Sequence, residues 1–219
     1  MSVTLRWFPN SWFEIVGHEA VVDIDPAIFH HPEPPDDLAP ADLVLVTHNH
    51  PDHCDVRGAS KVMSAKTLVY APRACSQILG DAVQPVLAGG EFDAAGVHVR
   101  VVDAYNTSDG TSTIKAHEKG ECVGYVISVD GVRIYHAGDT DFIAEMMDLG
   151  DIDVAMLPVG GTYTMNAEDA ARAAVAIQPR LYAIPMHPRD TDIEAFGRAL
   201  EGTGVRVVTL KPGERITIE

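Results

Sequence analysis

The hydrophobic segments of this chain are joined by two kinds of connection. Apolar runs at 122–129 and 132–135 are separated only by an Asp-Gly pair, which predicts an antiparallel hairpin because a tight turn needs a residue at positive φ. Runs at 154–157 and 181–185 instead enclose an amphipathic segment at 167–177, a spacing typical of parallel strands linked by a helix. This mixture excludes a purely parallel sheet. It predicts a mixed α/β fold of two β-sheets covered by helices.

The remaining apolar runs complete the prediction. The Asn166 side chain can cap the helix at 167–177, and the proline-rich stretch at 30–40 predicts a surface loop too short to separate two domains. A chain of 219 residues is within reach of a single hydrophobic core, so one domain over residues 1–219 is expected. Further strands are predicted at 12–16, 20–24, 43–46, 67–70, 97–102, 205–210 and 215–218, and further helices at 55–65, 142–149 and 192–200.

Charge and cysteine content narrow the functional classes. The 32 acidic residues exceed the 16 basic ones, giving a net charge of −16, which disfavours broad binding to nucleic acid or to anionic membranes. No apolar run approaches the roughly 18 residues that a membrane span needs, and the N-terminus has no secretory pattern. Three cysteines without CxxC spacing speak against a disulfide framework. We therefore expect a cytoplasmic protein.

The first candidate functional residues follow directly after the buried strand predicted at 43–46. The next segment, 47–53, reads Thr-His-Asn-His-Pro-Asp-His. Residues two apart in an extended segment project to the same side, so His48 and His50 can bind one metal ion together. The turn at Pro51 then allows Asp52 and His53 to face a neighbouring position. Imidazole and carboxylate ligands suit zinc, and also iron or manganese.

Two later strand ends could supply further ligands. Asp139 follows the predicted strand at 132–135, and its carboxylate could bridge two metal ions. His187 follows the predicted strand at 181–185. Taken alone, Asp139 could equally be a turn or helix-cap residue and His187 a structural histidine. Their shared position at strand ends, as in the first motif, favours the metal site.

Three motifs in this order resemble the metallo-β-lactamase fold superfamily of metal-dependent hydrolases. They lie at 47–53, 135–140 and 184–187, so the resemblance spans most of the chain. The segments 135–140 (Tyr-His-Ala-Gly-Asp-Thr) and 160–165 (Gly-Gly-Thr-Tyr-Thr-Met) are similar to the branch related to ascorbate-6-phosphate lactonase. The resemblance implies a four-layer αβ/βα sandwich, with the metal site at one edge between the sheets.

The resemblance also implies ligands for one or two divalent ions, with Zn²⁺ expected first and Mn²⁺ or Fe²⁺ as alternatives. His48 and His50 would hold the first ion. Asp52, His53 and His187 would hold the second, and Asp139 would bridge them. Asp52 and Asp139 are also the expected catalytic residues, and His136 is expected to donate a hydrogen bond near Asp139 without being a ligand.

One position departs from the family pattern. Where the family supplies another histidine to the first site, this chain has Asn106. An amide oxygen is a weak zinc ligand. His117, 11 residues further along, could replace the missing imidazole or could be an exposed loop residue. The sequence leaves open whether Asn106 or His117 completes the first site.

Three functions are compatible with these residues. We favour metal-assisted hydrolysis of an ester, lactone, amide or phosphodiester bond in a small molecule that could carry a negative charge. The alternatives are a nuclease or phosphodiesterase acting on nucleic acid, which the net charge disfavours, and a metal- or ligand-binding module that has lost catalysis, which Asn106 motivates. A homo-oligomer is compatible with all three.

Overall fold

The computed structural model describes residues 2–189 and 191–219. Within these ranges the chain forms two mixed β-sheets of seven and six strands. In chain order the strands are β1 (Val3–Trp7), β2 (Phe13–Val16), β3 (Val21–Ile24), β4 (Leu43–Leu45), β5 (Leu68–Ala71), β6 (Val83–Pro85), β7 (Glu91–Ala94), β8 (Val97–Ala104), β9 (Cys122–Val129), β10 (Val132–His136), β11 (Val154–Pro158), β12 (Tyr182–Met186) and β13 (Arg215–Ile218).

Both sheets combine antiparallel and parallel pairing. The first sheet has the order β13-β1-β2-β3-β4-β5-β6, antiparallel up to β3 and parallel beyond it. The second has the order β12-β11-β10-β9-β8-β7, parallel from β12 to β10 and antiparallel beyond it. The predicted Asp-Gly hairpin joins β9 to β10, and Asp130 and Gly131 both have positive φ.

Helices cover the outer face of each sheet. They are α1 (Val56–Val62), α2 (Ser76–Leu79), α3 (Ala167–Ile177) and α4 (Glu194–Ala199). Val62 of α1 packs with Val44 and Val69 of the first sheet. The buried side of α3 is mostly alanine and belongs to the same hydrophobic cluster as the second sheet, and its predicted cap is present because Asn166 Oδ1 accepts from the Asp169 N–H at 2.9 Å.

The main core lies between the two sheets. Leu5 and Ile15 of the first sheet and Val99 and Ile127 of the second are fully buried in one cluster. Apolar burial on this scale stabilises a fold at about 25 cal/mol per Å². The result is the predicted four-layer αβ/βα sandwich. Among residues 2–189 and 191–219, no helix has both the length and the apolar composition for a transmembrane span.

The structure corrects several local predictions. Residues 205–210 do not form a strand, because Val207 makes only an isolated bridge to Ala183. The helix predicted at 142–149 is a short 3₁₀ turn, Ala144–Asp148. The sequence patterns missed β1, β6, β7 and α2, which are short or lack a clean apolar period.

Candidate metal centre

The predicted ligands meet at one edge of the sandwich because each follows the end of a strand. His48 lies just beyond β4, Asp139 just beyond β10 and His187 directly after β12. The two sheets are joined here, since the Val123 N–H donates to the Thr47 carbonyl at 3.0 Å. Gly138 is required at this junction: its φ is +64°, and a Cβ would lie 2.6 Å from the Val123 oxygen. Strands of both sheets therefore hold the site.

Three imidazoles converge at one point, and we call His48, His50 and His117 the first cluster. His48 Nε2 is 3.0 Å from His50 Nδ1, and that nitrogen is 3.2 Å from His117 Nε2. His48 and His117 are buried. His117 arrives on the loop between β8 and β9, from a different part of the chain than the other two.

A second group lies beside the first, and we call Asp52, His53 and His187 the second cluster. Asp52 Oδ2 is 3.8 Å from His53 Nε2 and 3.4 Å from His187 Nε2. Both imidazoles are buried, whereas the Asp52 side chain is 32% exposed. Asp52 is thus the member of this cluster that solvent reaches.

Asp139 joins the two clusters. Its Oδ2 is 3.5 Å from His117 Nε2 and 3.3 Å from His187 Nε2, while its Oδ1 is 3.4 Å from His53 Nε2. The carboxylate is buried, with 4% of its side chain exposed. One carboxylate therefore faces nitrogen atoms of both clusters.

Partners on the far side of the rings fix two of these imidazoles. His53 Nδ1 donates to Asp25 Oδ2 at 2.7 Å, because an ionised carboxylate can only accept. Thr47 Oγ1 donates to that same oxygen at 2.8 Å and so accepts from His48 Nδ1 at 3.0 Å. The neutral His48 ring then presents an unprotonated Nε2 to the site, and the His53 ring is held with its Nε2 facing Asp139. Such outer hydrogen bonds are what orient histidine ligands in metal centres.

Burial and neighbouring charges shift the pKa values of the site residues in opposite directions. Burial lowers the pKa of His48 well below its usual value, so this imidazole is neutral, the form that binds a metal. Burial raises the pKa of Asp139, but the charges of His187 and His53 outweigh it and hold that pKa well below the usual range. Burial lowers the pKa of His53, but the charges of Asp139 and Asp25 outweigh it and raise that pKa well above the usual value. The carboxylates thus create a site that favours positive charge.

The residues fit a divalent cation. Within the described part of the chain, Asp139 Oδ1 and both ring nitrogens of His187 are buried without a hydrogen-bond partner. Buried polar atoms are almost always paired, so unpaired atoms that face one another indicate a missing ligand. Imidazole nitrogen and carboxylate oxygen are a donor set that zinc, manganese and iron all accept. The clusters could therefore hold a metal.

Comparison with known proteins identifies the family. A family model described as a β-lactamase superfamily domain matches residues 4–187. The chain belongs to this superfamily. A metal-dependent hydrolase of the UPF0173 family from Methanopyrus kandleri is 36% identical, over 96% of this chain and 97% of its own.

Solved structures of superfamily members confirm the metallo-β-lactamase fold. A metallo hydrolase from the archaeon Ignicoccus hospitalis superposes with a TM-score of 0.81 at 28% identity, covering 100% of this chain and 99% of its own. A protein from Parabacteroides distasonis gives 0.85 at 31% identity, covering 94% of this chain and 92% of its own. The present chain is thus a metal-dependent hydrolase.

A cavity of about 610 Å³ opens onto the metal centre of the hydrolase. Four of the proposed ligands line it: His50, Asp52, His117 and Asp139. Residues outside the two clusters form its walls: Asn10, Phe29, His30, His31, Pro51, Ala116, Tyr163, Pro188 and Arg189. This volume suits a small-molecule substrate.

The six predicted ligands lie together at this site, and the structure also shows what Asn106 and His136 contact. The Asn106 side chain is engaged by protein partners, since Nδ2 donates to the Tyr163 carbonyl at 2.8 Å and Oδ1 accepts from the Ala116 N–H at 2.9 Å. It is therefore not placed to act as a ligand. His136 is buried, but its Nε2 donates to the Ser11 carbonyl at 2.9 Å and its Nδ1 accepts from the Gly138 N–H. It supports the backbone before Asp139 and does not donate to that carboxylate.

The sequence analysis missed two residues that support the second cluster. Asp25 follows directly after β3. The same feature, a polar residue just after the end of a strand, pointed to the other candidates. Asn10 lies in a loop, where its Nδ2 donates to the Asp52 carbonyl at 3.0 Å and its own carbonyl accepts from the His187 N–H at 2.9 Å. No sequence signal marks Asn10, because its contacts arise only when distant loops meet.

Proposed function

We propose that residues 1–219 act as one hydrolase domain. It would use one or two divalent ions, Zn²⁺ first, to cleave an ester, lactone, amide or phosphodiester bond in a small molecule. The observation that carries this proposal is the pair of adjacent clusters sharing Asp139, which lines a cavity. Pairing of β13 with β1 supports a single domain, because it ties the C-terminal strand to the N-terminal one.

The proposed ligands follow the two clusters. His48, His50 and His117 would hold the first ion, and Asp52, His53 and His187 the second, with Asp139 between them. His117 would take the place of the histidine that the family supplies where this chain has Asn106, which removes the reason for proposing a module that has lost catalysis. When bound, a divalent ion lowers the pKa of water toward ~7 and polarises a carbonyl or phosphoryl oxygen.

Asp52 is the proposed proton acceptor. Its carboxylate faces the cavity as well as His187 Nε2, and its partial exposure lets water reach it. Asn10 Nδ2 lies 3.3 Å from Asp52 Oδ2 and holds the carboxylate in place. Asp52 can therefore orient the attacking water and take up its proton, while the buried Asp139 stays out of reach of bulk solvent.

For the substrate we propose an anionic small molecule, with a charged lactone, as in the related lactonase branch, as the first candidate. Among the residues that line the cavity, Arg189 is the one that carries a permanent positive charge. Its guanidinium stacks over the Tyr163 ring, 4.7 Å from the centroid, which holds it at the cavity wall. Lys115 and Lys119 are engaged elsewhere, with Asp141 and Glu145 respectively.

The decisive experiment supplies Zn²⁺, Mn²⁺ or Fe²⁺ to metal-depleted protein and measures hydrolysis of a panel of lactones, esters, amides and phosphodiesters. We expect activity that depends on the ion, and Asp52→Asn to reduce kcat by about 10²–10⁴-fold because the proton acceptor is lost. Asp81→Asn, at an exposed position, is the matched control and should keep full activity. Full ion-dependent activity in Asp52→Asn would contradict the assignment.

Arg189 is tested on the substrates that this panel reveals. Arg189→Ala should raise KM about 10-fold or more for anionic substrates and leave KM for neutral ones unchanged, because the guanidinium contributes only through charge. Arg73→Ala, at an exposed position that does not line the cavity, should change neither value. An equal effect on neutral and anionic substrates would reject the proposed charge recognition.

Cellular location and oligomeric state are two further predictions. The three cysteines are free and buried, in keeping with the cytoplasmic location expected from the sequence. A homo-oligomer is a prediction that sedimentation or light scattering would check.

A further inference from the structure

We propose that Asn106 is a positioning residue for His117, because its amide oxygen, together with the Tyr163 carbonyl oxygen, holds the imidazole in the tautomer that presents Nε2 to the first cluster. This inference rests on the proposed role of His117 as a ligand. It assigns a function to the position at which this chain has asparagine where the family pattern has a histidine. Asn106 would then support binding of the first ion by orienting His117 and would not be a ligand itself.

The hydrogen-bond partners of the ring determine the tautomer. His117 Nδ1 lies 3.1 Å from Asn106 Oδ1 and 3.2 Å from the Tyr163 carbonyl oxygen. Both oxygens can only accept, so Nδ1 must carry the proton. A neutral imidazole has a single N–H, and Nε2 is therefore left with its lone pair. That lone pair lies among the other site atoms, 3.2 Å from His50 Nδ1 and 3.5 Å from Asp139 Oδ2.

Contacts other than the His117 ring fix the orientation of the Asn106 amide. Its Nδ2 donates to the Tyr163 carbonyl at 2.8 Å, which identifies the opposite atom as the oxygen. That oxygen also accepts from the backbone N–H groups of Ala116 at 2.9 Å and of His117 at 3.0 Å. With three N–H groups directed at it, the oxygen has no lone pair left for a cation.

The backbone reinforces this arrangement. The Asn106 N–H donates to the His117 carbonyl at 2.9 Å, so the two residues close the loop between them. The same loop is fastened to the glycine-containing segment 160–163, since the Thr113 N–H donates to Gly161 and the Ile114 N–H to Thr162. Removal of the Asn106 side chain would therefore leave two part-buried backbone donors without this acceptor at the point where the loop presents His117.

The proposal is tested by two readouts that do not depend on turnover. The first is ¹⁵N NMR of the imidazoles in metal-free, full-length protein at alkaline pH. Wild type should show His117 protonated at Nδ1 and unprotonated at Nε2, and Asn106→Asp should keep this tautomer because a carboxylate still accepts. Asn106→Ala should show a larger fraction of the other tautomer. A wild-type His117 protonated at Nε2 would overturn the proposal, and this spectrum needs no variant to fold.

The second readout is Zn²⁺ affinity, measured by competition with a chelator. We expect Asn106→Ala to weaken binding of the tightest ion by about 10- to 100-fold, as for other partners of histidine ligands, and Asn106→Asp to recover part of the loss. Asn166→Ala is the matched control: it removes a hydrogen bond that caps α3 and should lower the melting temperature without changing Zn²⁺ affinity. Unchanged Zn²⁺ affinity in Asn106→Ala would reject the inference.

A third variant separates this inference from the proposed function. If His117→Ala weakens Zn²⁺ binding while Asn106→Ala does not, then His117 is a ligand and only the role of Asn106 is wrong. If His117→Ala leaves Zn²⁺ affinity unchanged, the ligand assignment under the proposed function fails, and the inference built on it fails with it.

Discussion

The two clusters differ in how the protein holds their imidazoles. In the first cluster, His48 donates from its outer nitrogen to Thr47, and His117 donates to Asn106 and to the Tyr163 carbonyl. In the second cluster, His53 is held by Asp25, but neither ring nitrogen of His187 makes a hydrogen bond to the described residues. His187 also has a φ of 52°, in the left-handed region that non-glycine residues rarely adopt.

This difference indicates that the first cluster is the better prepared of the two. A ring whose outer nitrogen is hydrogen-bonded already has the tautomer and orientation that an ion requires, so little ordering remains to be done on binding. The buried His187 ring has no hydrogen bond from its outer nitrogen, so its orientation is completed only when the ion binds. We therefore expect the first cluster to fill at lower Zn²⁺ concentration and the second to fill later.

Asp139 provides the largest test, because it faces both clusters. Asp139→Asn keeps the size of the side chain but removes the negative charge that His53, His117 and His187 face. We expect loss of both ions at micromolar Zn²⁺ and a fall in hydrolysis of about 10³-fold or more. Metal analysis after dialysis measures the number of bound ions, and the substrate panel measures the rate of hydrolysis. One ion retained with wild-type affinity would show that Asp139 belongs to a single cluster.

A pair of histidine variants tests the order of filling. His187→Ala should still bind one Zn²⁺ per chain about as tightly as wild type, because the first cluster keeps its three imidazoles. His48→Ala should weaken the tightest site by about 10²-fold or more, because removal of one of those imidazoles damages the better prepared site. Calorimetric titration of metal-depleted protein gives both the number of ions and their affinities. The reverse result would mean that the second cluster fills first.

The sequence predicted most of this centre because strand ends are visible in it. His48, Asp139 and His187 each follow an apolar run, which marks them as candidates, and the resemblance to the superfamily implies that they meet at one edge between the sheets. Asn10 and the orientation of His117 were out of reach, because they depend on loops whose paths are set by long-range contacts. In the fold, the predicted strand at 205–210 was wrong because apolar periodicity cannot tell a strand from an extended segment that makes a single bridge.

The smallest expected effects on metal binding come from two aspartates on and just after β3. Asp25 accepts from His53 Nδ1, whereas Asp23, two residues earlier, accepts from Trp12 Nε1 at 2.6 Å and contacts no predicted ligand. Asp25→Asn removes the charge behind His53 and should weaken the second ion by about 10- to 100-fold, with a smaller loss at the first ion because Asp25 reaches His48 only through Thr47. Asp23→Asn is the matched control and should change neither affinity. An equal effect of both variants would mean that β3 acts through stability alone.

Asp23 should instead be seen in the pH dependence of stability. Burial raises its pKa to about 8, from a usual value of 3.8, so the folded protein keeps a proton that the unfolded chain releases near pH 4. Its contribution to stability is present in full below pH 4 and is lost as the pH rises toward 8. In this window the unfolding free energy should fall by about 1.4 kcal/mol per pH unit from this group alone. Asparagine does not titrate, so denaturant unfolding at pH 5, 6 and 7 should show wild type losing stability relative to Asp23→Asn. A constant difference between the two proteins across that range would mean that Asp23 is ionised in the folded state, and the buried indole hydrogen bond would then be made to a charged carboxylate.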